Sequence, residues 1–199
     1  LASQSLALGD HNLVLAGGVE NMSNAPYLLK KARFGYRLGD DSIVDSAVSD
    51  GLWDCRLGYH MGQTAENIAN KNNISREEQD KFALSSQEKA SNAQKSGRFN
   101  DEIVPVTVKK RKKETIYDTD EFPRADTTFE TLSSLRPAFD KNGTVTAGNA
   151  SGINDGAAIL MLGSTESLKT FQPLAKIVSY AESGVDPSVM GLGPIKAAE

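Results

Sequence analysis

One run of small residues constrains this chain more than any other feature. The run TVTAGNASGINDGAA, residues 144–158, is rich in Gly, Ala, Ser and Asn, and the apolar stretch ILML follows it at once. Small side chains allow a backbone to come close to another surface, and Gly and Asn also adopt left-handed angles that other residues avoid. We therefore predict a loop that lies against a ligand or another segment, followed by a buried strand near Ala157–Leu162.

The composition is that of an ordinary globular protein. The chain has 199 residues, 39% hydrophobic and 24% charged, with a formal net charge of -4. This balance argues against disorder, a polyanionic partner or a membrane surface. No apolar run approaches the ~20 residues of a spanning helix, and the first residues lack a signal-peptide pattern, so we expect a cytoplasmic protein. A single cysteine excludes an internal disulfide framework, and with two histidines it argues against a structural zinc site.

Capping and periodicity signals predict alternating helices and strands, which is typical of α/β proteins. Helices are predicted up to Gly9, over 61–72, from the capping-box pair Ser75 and Glu78 to Gly97, over 128–134 and from Pro194. Strands are predicted over 12–16, running into a bend at Gly17 and Gly18, and near 157–162 and 175–180, with a further strand ending in a basic turn near 109–113. The irregular residues 25–52 are long enough to indicate a functional or assembly element.

Three small clusters could carry chemistry. Cys55 and His60 could form a thiol–imidazole pair, although a lone cysteine is commonly a small buried hydrophobe. His60 also stands at a helix entrance, where a polar group can meet a ligand. The run KKRKK, residues 109–113, suits either a solvated hairpin tip or a single anionic group such as a nucleotide phosphate better than nucleic acid. The pair Asp118 and Asp120 has no further metal ligands nearby and predicts no metal site.

Several blocks resemble one known family. The segments VLAGGVENMSNAPY, GYHMGQTAEN, LRPAFDKNGTVTAG, TVTAGNASGINDGAA and GLGPIKAAE follow one another across the chain. Together they resemble the thiolases, and within them the acetyl-CoA acetyltransferase type. The histidine followed by methionine in GYHMG resembles the short-chain, acetoacetyl-CoA enzymes.

The resemblance implies a layered α-β-α-β-α fold of two similar α/β halves, with an inserted loop domain that holds coenzyme A. On this projection residues 1–22 end the N-terminal half and residues 23–153 form the CoA-binding loop domain. Residues 154–172 return to the N-terminal half, and residues 173–199 start the C-terminal half. The small-residue run would then be the wall along which pantetheine passes.

The chemistry that the resemblance implies is a Claisen condensation of two acetyl-CoA molecules to acetoacetyl-CoA and CoA, or the reverse thiolysis. The resemblance also implies that this chain is a central fragment of a longer protein, called the full-length protein below. The family's nucleophilic cysteine motif would precede Leu1, and its Asn-Glu-Ala, Gly-His-Pro and Cys-x-Gly motifs would follow Glu199. We therefore expect no catalytic residue in this chain, since Cys55 lies where the family keeps none. Coenzyme A thioesters are the expected substrates, without a further cofactor.

Residue by residue, the resemblance implies a binding site in three parts. Ser151 would hydrogen-bond pantetheine, with Ala147 and Gly148 along the same wall. The acyl end would be lined by Leu52, His60, Met61 and Met190. The adenine nucleotide end would meet Arg124, Thr131, where the family often has serine, and Leu135. From the residues alone, Ser151 could equally be a turn residue that satisfies its own backbone.

Two classes of function remain open at this point. The first is an enzyme, either the acetyl-CoA acetyltransferase or the 3-ketoacyl-CoA thiolase of fatty-acid β-oxidation. The second is a non-catalytic CoA-binding or assembly module. Residues 25–52 suit packing against a neighbouring subunit, and thiolases are commonly tetramers, so we expect a homodimer or homotetramer.

Overall fold

The computed structural model describes residues 1–169 and 171–199. Its helices are α1 (Ala2–Leu8), α2 (Met61–Asn72), α3 (Arg76–Lys95), α4 (Phe129–Ser133) and α5 (Gly193–Ala198). Its strands are β1 (Leu13–Asn21), β2 (Tyr27–Leu28), β3 (Val44–Asp45), β4 (Trp53–Asp54), β5 (Tyr59–His60), β6 (Val106–Lys110), β7 (Lys113–Tyr117) and β8 (Asp155–Gly163). A π-helical segment covers Ala47–Leu52, and 3₁₀ turns cover Met22–Asn24, Ser167–Lys169 and Pro187–Leu192.

These elements form two compact units. The strand unit contains Leu1–Trp53, Ile153–Val185 and Leu192–Glu199, and the helical unit contains Asp54–Gly152 and Asp186–Gly191. The division at residues 22, 153 and 172 that the resemblance implies stays a prediction.

In the strand unit, β1 and β8 pair antiparallel over their whole length, from Leu13 opposite Gly163 to Asn21 opposite Asp155. Helix α1 ends as predicted, because Gly9 takes a left-handed conformation at φ 80°. The predicted bend at Gly17 and Gly18 is wrong, since β1 runs straight through both residues. A Cβ at Gly17 would collide with the carbonyl oxygen of Ala158. Gly17 therefore permits a close approach of β1 to β8 rather than a turn.

The predicted strand near 175–180 is also wrong. Its apolar residues Ile177, Val178 and Tyr180 are 56%, 87% and 66% exposed. A strand needs a ladder of hydrogen bonds with a neighbour, and within the described ranges no strand pairs with this segment. Apolar composition alone was therefore a misleading signal. Residues 25–52 are largely irregular, as predicted, with one short pairing of β2 with β3.

In the helical unit, the predictions for α2 and α3 are confirmed. Ser75 accepts a hydrogen bond from the Glu78 N–H at 3.2 Å, and the Glu78 carboxylate accepts one from the Ser75 N–H at 2.7 Å. This capping box satisfies two amide groups that the first turn of α3 leaves unpaired. Strands β6 and β7 form a hairpin with Arg111 and Lys112 at its tip. The basic run 109–113 is thus an exposed hairpin tip, as the first of the two interpretations in the sequence analysis predicted.

Two further features concern the part of the chain that the structure describes. Within residues 1–169 and 171–199, no helix is long and apolar enough to cross a lipid bilayer. Over the same ranges, His, Cys, Asp and Glu side chains form no group of three or more that could hold a metal ion.

One polar contact joins the 3₁₀ turn Met22–Asn24, which follows β1, to the start of β8, and a testable prediction follows from it. Asp155 accepts hydrogen bonds from the Ser23 hydroxyl and from the Ser23 N–H, the latter at 2.9 Å. These bonds lower the pKa of Asp155 below its ordinary value of 3.8, because they stabilise the ionised form. The stability that they contribute is therefore present above pH 3.8 and is lost as the pH falls through the lower folded-state pKa.

We expect Ser23→Ala to lower the free energy of unfolding of the full-length protein at pH 7, where Asp155 is ionised in both states. The difference from wild type should shrink at acid pH, where Asp155 is protonated. Denaturant unfolding curves at the two pH values measure it. A difference that stays constant with pH would contradict the assignment.

Candidate functional site

The small-residue loop, residues 143–152, lies against other parts of the helical unit at all three of its glycines, and the contacts of Gly148 and Gly152 come first. A Cβ at Gly148 would lie 2.6 Å from methyl carbons of Leu132 and Leu135. A Cβ at Gly152 would overlap the ring of Phe122. Contacts this close leave no room for any side chain at either position. Packing against the protein therefore accounts for part of the loop's composition.

Beside these two glycines the loop presents two exposed small residues, one before Gly148 and one before Gly152. Ala147 and Ser151 are both exposed, while Gly148 and Ala150 are half-buried. In the part of the chain that the structure describes, the side-chain hydrogen bonds of this loop involve its Thr and Asn residues and none involves the Ser151 hydroxyl. The alternative in which Ser151 satisfies its own backbone is therefore wrong. The hydroxyl can bond a ligand instead.

The loop is held from behind by two buried carboxylates. Glu66, on α2, accepts hydrogen bonds from the backbone of Thr144 and Val145. Asp80, on α3, accepts one from the side chain of Asn149. Both helices therefore contribute to fixing the backbone that leads into the exposed residues of the loop.

His60 is fixed at the N-terminus of α2. Its Nδ1 atom accepts a hydrogen bond from the Gly62 N–H at 3.0 Å, which caps the helix. In the neutral ring, a nitrogen that accepts carries no proton, so this bond assigns the proton to Nε2. Nε2–H has no acceptor among the described residues and can donate to a ligand. The ring is half-buried and stacks on Phe139, with centroids 4.7 Å apart and an interplanar angle of 24°.

The proposed pair of Cys55 and His60 is wrong. Cys55 is exposed, and the His60 ring is committed to Gly62 and Phe139. Within the described ranges no hydrogen bond joins the thiol to the imidazole. The alternative of a buried, hydrophobic Cys55 is wrong as well. Nothing in its surroundings identifies Cys55 as a nucleophile.

The other residues predicted for the acyl end lie in different elements. Met61 is the first residue of α2 and is half-buried. Met190 lies in the 3₁₀ turn Pro187–Leu192 of the helical unit and is 51% exposed. Leu52 is the last residue of the π-helical segment, is half-buried and belongs to the strand unit. His60 and Met61 are thus adjacent at the start of α2. The role of these two residues, Met190 and Leu52 at the acyl end stays a prediction.

The three residues predicted for the adenine nucleotide end differ in how free their side chains are. Arg124 is exposed, and its backbone N–H donates to Gln87 at 2.8 Å. Leu135 faces Gly148, as described above. The Thr131 hydroxyl donates to the Thr128 carbonyl at 2.8 Å and accepts from the Thr128 N–H at 3.0 Å. These bonds close the N-terminal capping box of α4, so Thr131 has a structural role that the sequence analysis did not predict.

Sequence reasoning missed two residues of this region, Phe139 and Glu66. For Phe139 the sequence offers no local signal, because its contact with His60 depends on the pairing of Pro137 with Thr146. For Glu66 a signal existed. It stands three residues before the buried Ala69, so a carboxylate occupies the inward face of a predicted amphipathic helix.

Comparison with known proteins covers nearly the whole chain. The sequence profile described as "Thiolase, N-terminal domain" matches residues 1–166. The chain is 51% identical over 201 residues to an acetyl-CoA acetyltransferase of Allochromatium vinosum and 54% identical over 200 residues to one of Paracoccus denitrificans, covering 100% of this chain in each case. It spans about half the length of these curated relatives, 51% of each.

Solved structures agree with the sequence relatives. The structure is similar to that of the Bacillus anthracis acetyl-CoA acetyltransferase, with a TM-score of 0.94 and 50% identity, covering 99% of this chain and 50% of that one. It is also similar to human mitochondrial 3-ketoacyl-CoA thiolase in complex with CoA, with a TM-score of 0.89 and 47% identity, over 98% of this chain and 49% of that one.

The capping role of Thr131 predicts the effect of two substitutions in the full-length protein. Thr131→Val removes the hydroxyl that bonds the Thr128 N–H and carbonyl but keeps the bond from the Thr131 N–H to the Thr128 hydroxyl. It should lower the free energy of unfolding by about 1 kcal/mol, the usual net contribution of a hydrogen bond. Thr131→Ser keeps the hydroxyl and should retain wild-type stability. Thermal or denaturant unfolding measures both. A valine variant with unchanged stability but weaker CoA binding would instead support a direct contact with the nucleotide.

Proposed function

Because this chain belongs to the thiolase family, we propose that it forms the CoA-binding part of an acetyl-CoA C-acetyltransferase. Its structure is part of the layered α/β fold of that family. The reaction is the Claisen condensation of two acetyl-CoA molecules to acetoacetyl-CoA and CoA, or the reverse thiolysis. The observation that carries the proposal is the stretch Ala147–Ser151, called the wall below, in which Ala147 and Ser151 are exposed and the Ser151 hydroxyl has no hydrogen-bond partner among the described residues.

The wall suits the pantetheine arm of coenzyme A. Pantetheine is a narrow chain with two amide groups, so it needs a surface without bulky side chains and a few hydrogen-bonding groups. Ala147 and Gly148 supply the surface, and the Ser151 hydroxyl supplies a donor and acceptor. The similarity to human mitochondrial 3-ketoacyl-CoA thiolase in complex with CoA supports this assignment.

His60 suits the thioester end of the same ligand. Its ring is held by the Gly62 N–H and by Phe139, and its Nε2–H is directed by those two contacts. A fixed N–H donor can hold a polar atom of the acyl group without reorganising, as preorganised sites require. Met61, Met190 and Leu52 are proposed to contribute apolar surface around the acyl chain.

The nucleotide end of the ligand is proposed to meet Arg124 and Leu135. Arg124 is exposed, and a guanidinium binds phosphate well because it presents several donors in a fixed plane. Thr131 completes this group through its backbone and methyl group, since its hydroxyl is occupied by the α4 cap.

The second candidate is a 3-ketoacyl-CoA thiolase of fatty-acid β-oxidation. The likeness to the human mitochondrial 3-ketoacyl-CoA thiolase favours it. Comparing turnover of acetoacetyl-CoA with that of longer 3-ketoacyl-CoA thioesters by the full-length protein separates the two. Preference for acetoacetyl-CoA supports the first proposal.

Assembly and location complete the proposal. The length and mixed apolar and basic content of residues 25–52 support a homodimer or homotetramer. The bacterial sources of the first relatives support a cytoplasmic site. We propose acyl-CoA and CoA as the ligands, without nucleic acid or membrane partners and without a further cofactor.

We expect the 199-residue chain, purified alone, to show no thiolase activity. Its one cysteine is exposed and unpaired with His60, so the described site contains neither a nucleophile to be acylated nor a thiolate to remove the α-proton. Loss of covalent and acid–base catalysis together removes many powers of ten in rate. Cleavage of acetoacetyl-CoA is followed spectroscopically. Activity that survives further purification and disappears in Cys55→Ala would contradict this expectation.

Substitutions at Ser151 in the full-length enzyme test the pantetheine wall. Ser151→Ala removes one hydrogen bond, which contributes on the order of 0.5–1.5 kcal/mol, so binding or turnover should weaken by up to about tenfold. Ser151→Val adds bulk to the wall and should be clearly worse. Michaelis constants for acetoacetyl-CoA and CoA, measured beside thermal stability, give the comparison. If both variants lose stability but keep wild-type kinetics, Ser151 has no role in binding.

A further inference from the structure

Glu66 is an acidic residue in the interior of the helical unit. It is 1% exposed, although it stands on a helix with few buried side chains. Both carboxylate oxygens accept from the Thr144 N–H at 2.9 Å, one accepts from the Val145 N–H at 2.7 Å, and the other accepts from the Thr144 hydroxyl at 3.1 Å. Among the described residues, every hydrogen-bond partner of Glu66 thus belongs to Thr144 or Val145, shortly before the wall.

The surroundings of this carboxylate are shaped to fit it. A Cβ at position 143 would overlap the Glu66 carboxylate, so Gly143 leaves the space that the side chain occupies. Gln79, on α3, donates from Nε2 to the Thr144 hydroxyl at 2.8 Å. The hydroxyl that donates to Glu66 is therefore itself oriented by a second side chain.

The far end of the same loop has its own attachment. Asn149 donates from Nδ2 to Asp80 at 2.9 Å and to the Thr144 carbonyl at 3.2 Å, and it accepts from the Thr146 N–H at 2.7 Å. Asp80 is fully buried and also accepts from Arg76 Nε at 2.7 Å. Residues 144–149 are thus attached to α2 through Glu66 at one end and to α3 through Asp80 at the other, while Gln79 of α3 also contacts Thr144.

Glu66 also acts on the residue that stacks against His60. The Ala138 N–H donates to the Val145 carbonyl at 2.9 Å, and Pro137 pairs with Thr146. Phe139 therefore directly follows two residues, Pro137 and Ala138, that pair with the segment bonded to Glu66. His60 caps the same helix that carries Glu66. One helix thus fixes both the imidazole and the backbone on which its stacking partner depends.

We propose that Glu66 is a positioning residue for the binding of coenzyme A. Its carboxylate fixes the position of the small-residue wall relative to the stacked rings of His60 and Phe139. This inference rests on the proposed function, since it assigns Glu66 an effect on CoA binding. Glu66 touches no ligand itself and acts only through residues 143–149. Its removal should therefore change the affinity for CoA more than the rate of the chemical step.

The test is Glu66→Gln in the full-length enzyme. Glutamine has the same shape, but its amide nitrogen would face N–H and O–H donors that now meet an oxygen. We expect the KM for CoA in thiolysis of acetoacetyl-CoA to rise about tenfold, with kcat within about threefold of wild type. We also expect faster hydrogen exchange of the amides in residues 143–151.

Ala69→Gly is the matched control. It weakens the same helix at a buried position one turn further along, because glycine is a poor helix former, but it removes no hydrogen bond from the loop. It should lower stability while leaving the KM for CoA and the exchange of residues 143–151 at wild-type values. If Glu66→Gln does not fold, Glu66→Asp keeps the charge and shortens the side chain, and it should raise the same KM by a smaller factor.

The outcomes separate this inference from the proposed function. A wild-type full-length protein without thiolase activity would overturn the proposed function, and the exchange measurement would then decide alone whether Glu66 holds the loop. Unchanged KM and exchange in Glu66→Gln, or an equal rise in KM in Ala69→Gly, would overturn the positioning role.

Discussion

The buried carboxylate of Glu66 is the interaction on which the arrangement of the helical unit depends. A charge removed from water is costly unless hydrogen bonds replace its hydration, and the replacements must come with good geometry. Here they come from two backbone amides and one hydroxyl of a single short segment. The carboxylate keeps these hydrogen bonds only when the segment occupies one position. Any other position of the loop would leave a buried charge without partners, so the loop is confined to this one. A hydrophobic contact in the same position would restrict the loop less, because apolar packing has no preferred direction.

The small residues of the loop have two separate physical causes. Gly143, Gly148 and Gly152 face a carboxylate, two leucines and a phenylalanine of the same unit, where even one methyl group would collide. Ala147 and Ser151 face outward instead. Packing alone explains the absence of side chains in the first group, whereas we propose a ligand to explain the second. The loop is therefore both a packing element and a surface, and its composition reflects both uses.

Hydrogen bonds at helix N-termini fix two side chains of the proposed site. The first turn of α2 leaves amide groups without partners, and the His60 ring satisfies one of them. That bond also assigns the ring proton and, with Phe139, limits the rotation of the ring. The cap of α4 engages Thr131 in a similar way. In both cases a residue of the proposed binding site is fixed because its side chain caps a helix.

The sequence by itself determined the local elements. The capping box of Ser75 and Glu78, the left-handed glycine that ends α1, the limits of α2 and the hairpin tip at 109–113 were all predictable, because their signals lie within a few residues. The blocks that resemble thiolases also identified the family correctly. The strand predicted near 175–180 failed, because an apolar run becomes a strand only beside a partner.

Only the tertiary structure decided which distant residues meet. Three contacts show this: Phe139 stacks on His60, Glu66 bonds Thr144, and Gly17 lets β1 approach β8 closely. The residues in each contact are between 78 and more than 140 positions apart in the sequence. No local propensity encodes these contacts, since each depends on how two elements pack. The structure also settled that the Ser151 hydroxyl is free of its own turn, because that depends on where the backbone of the loop is attached.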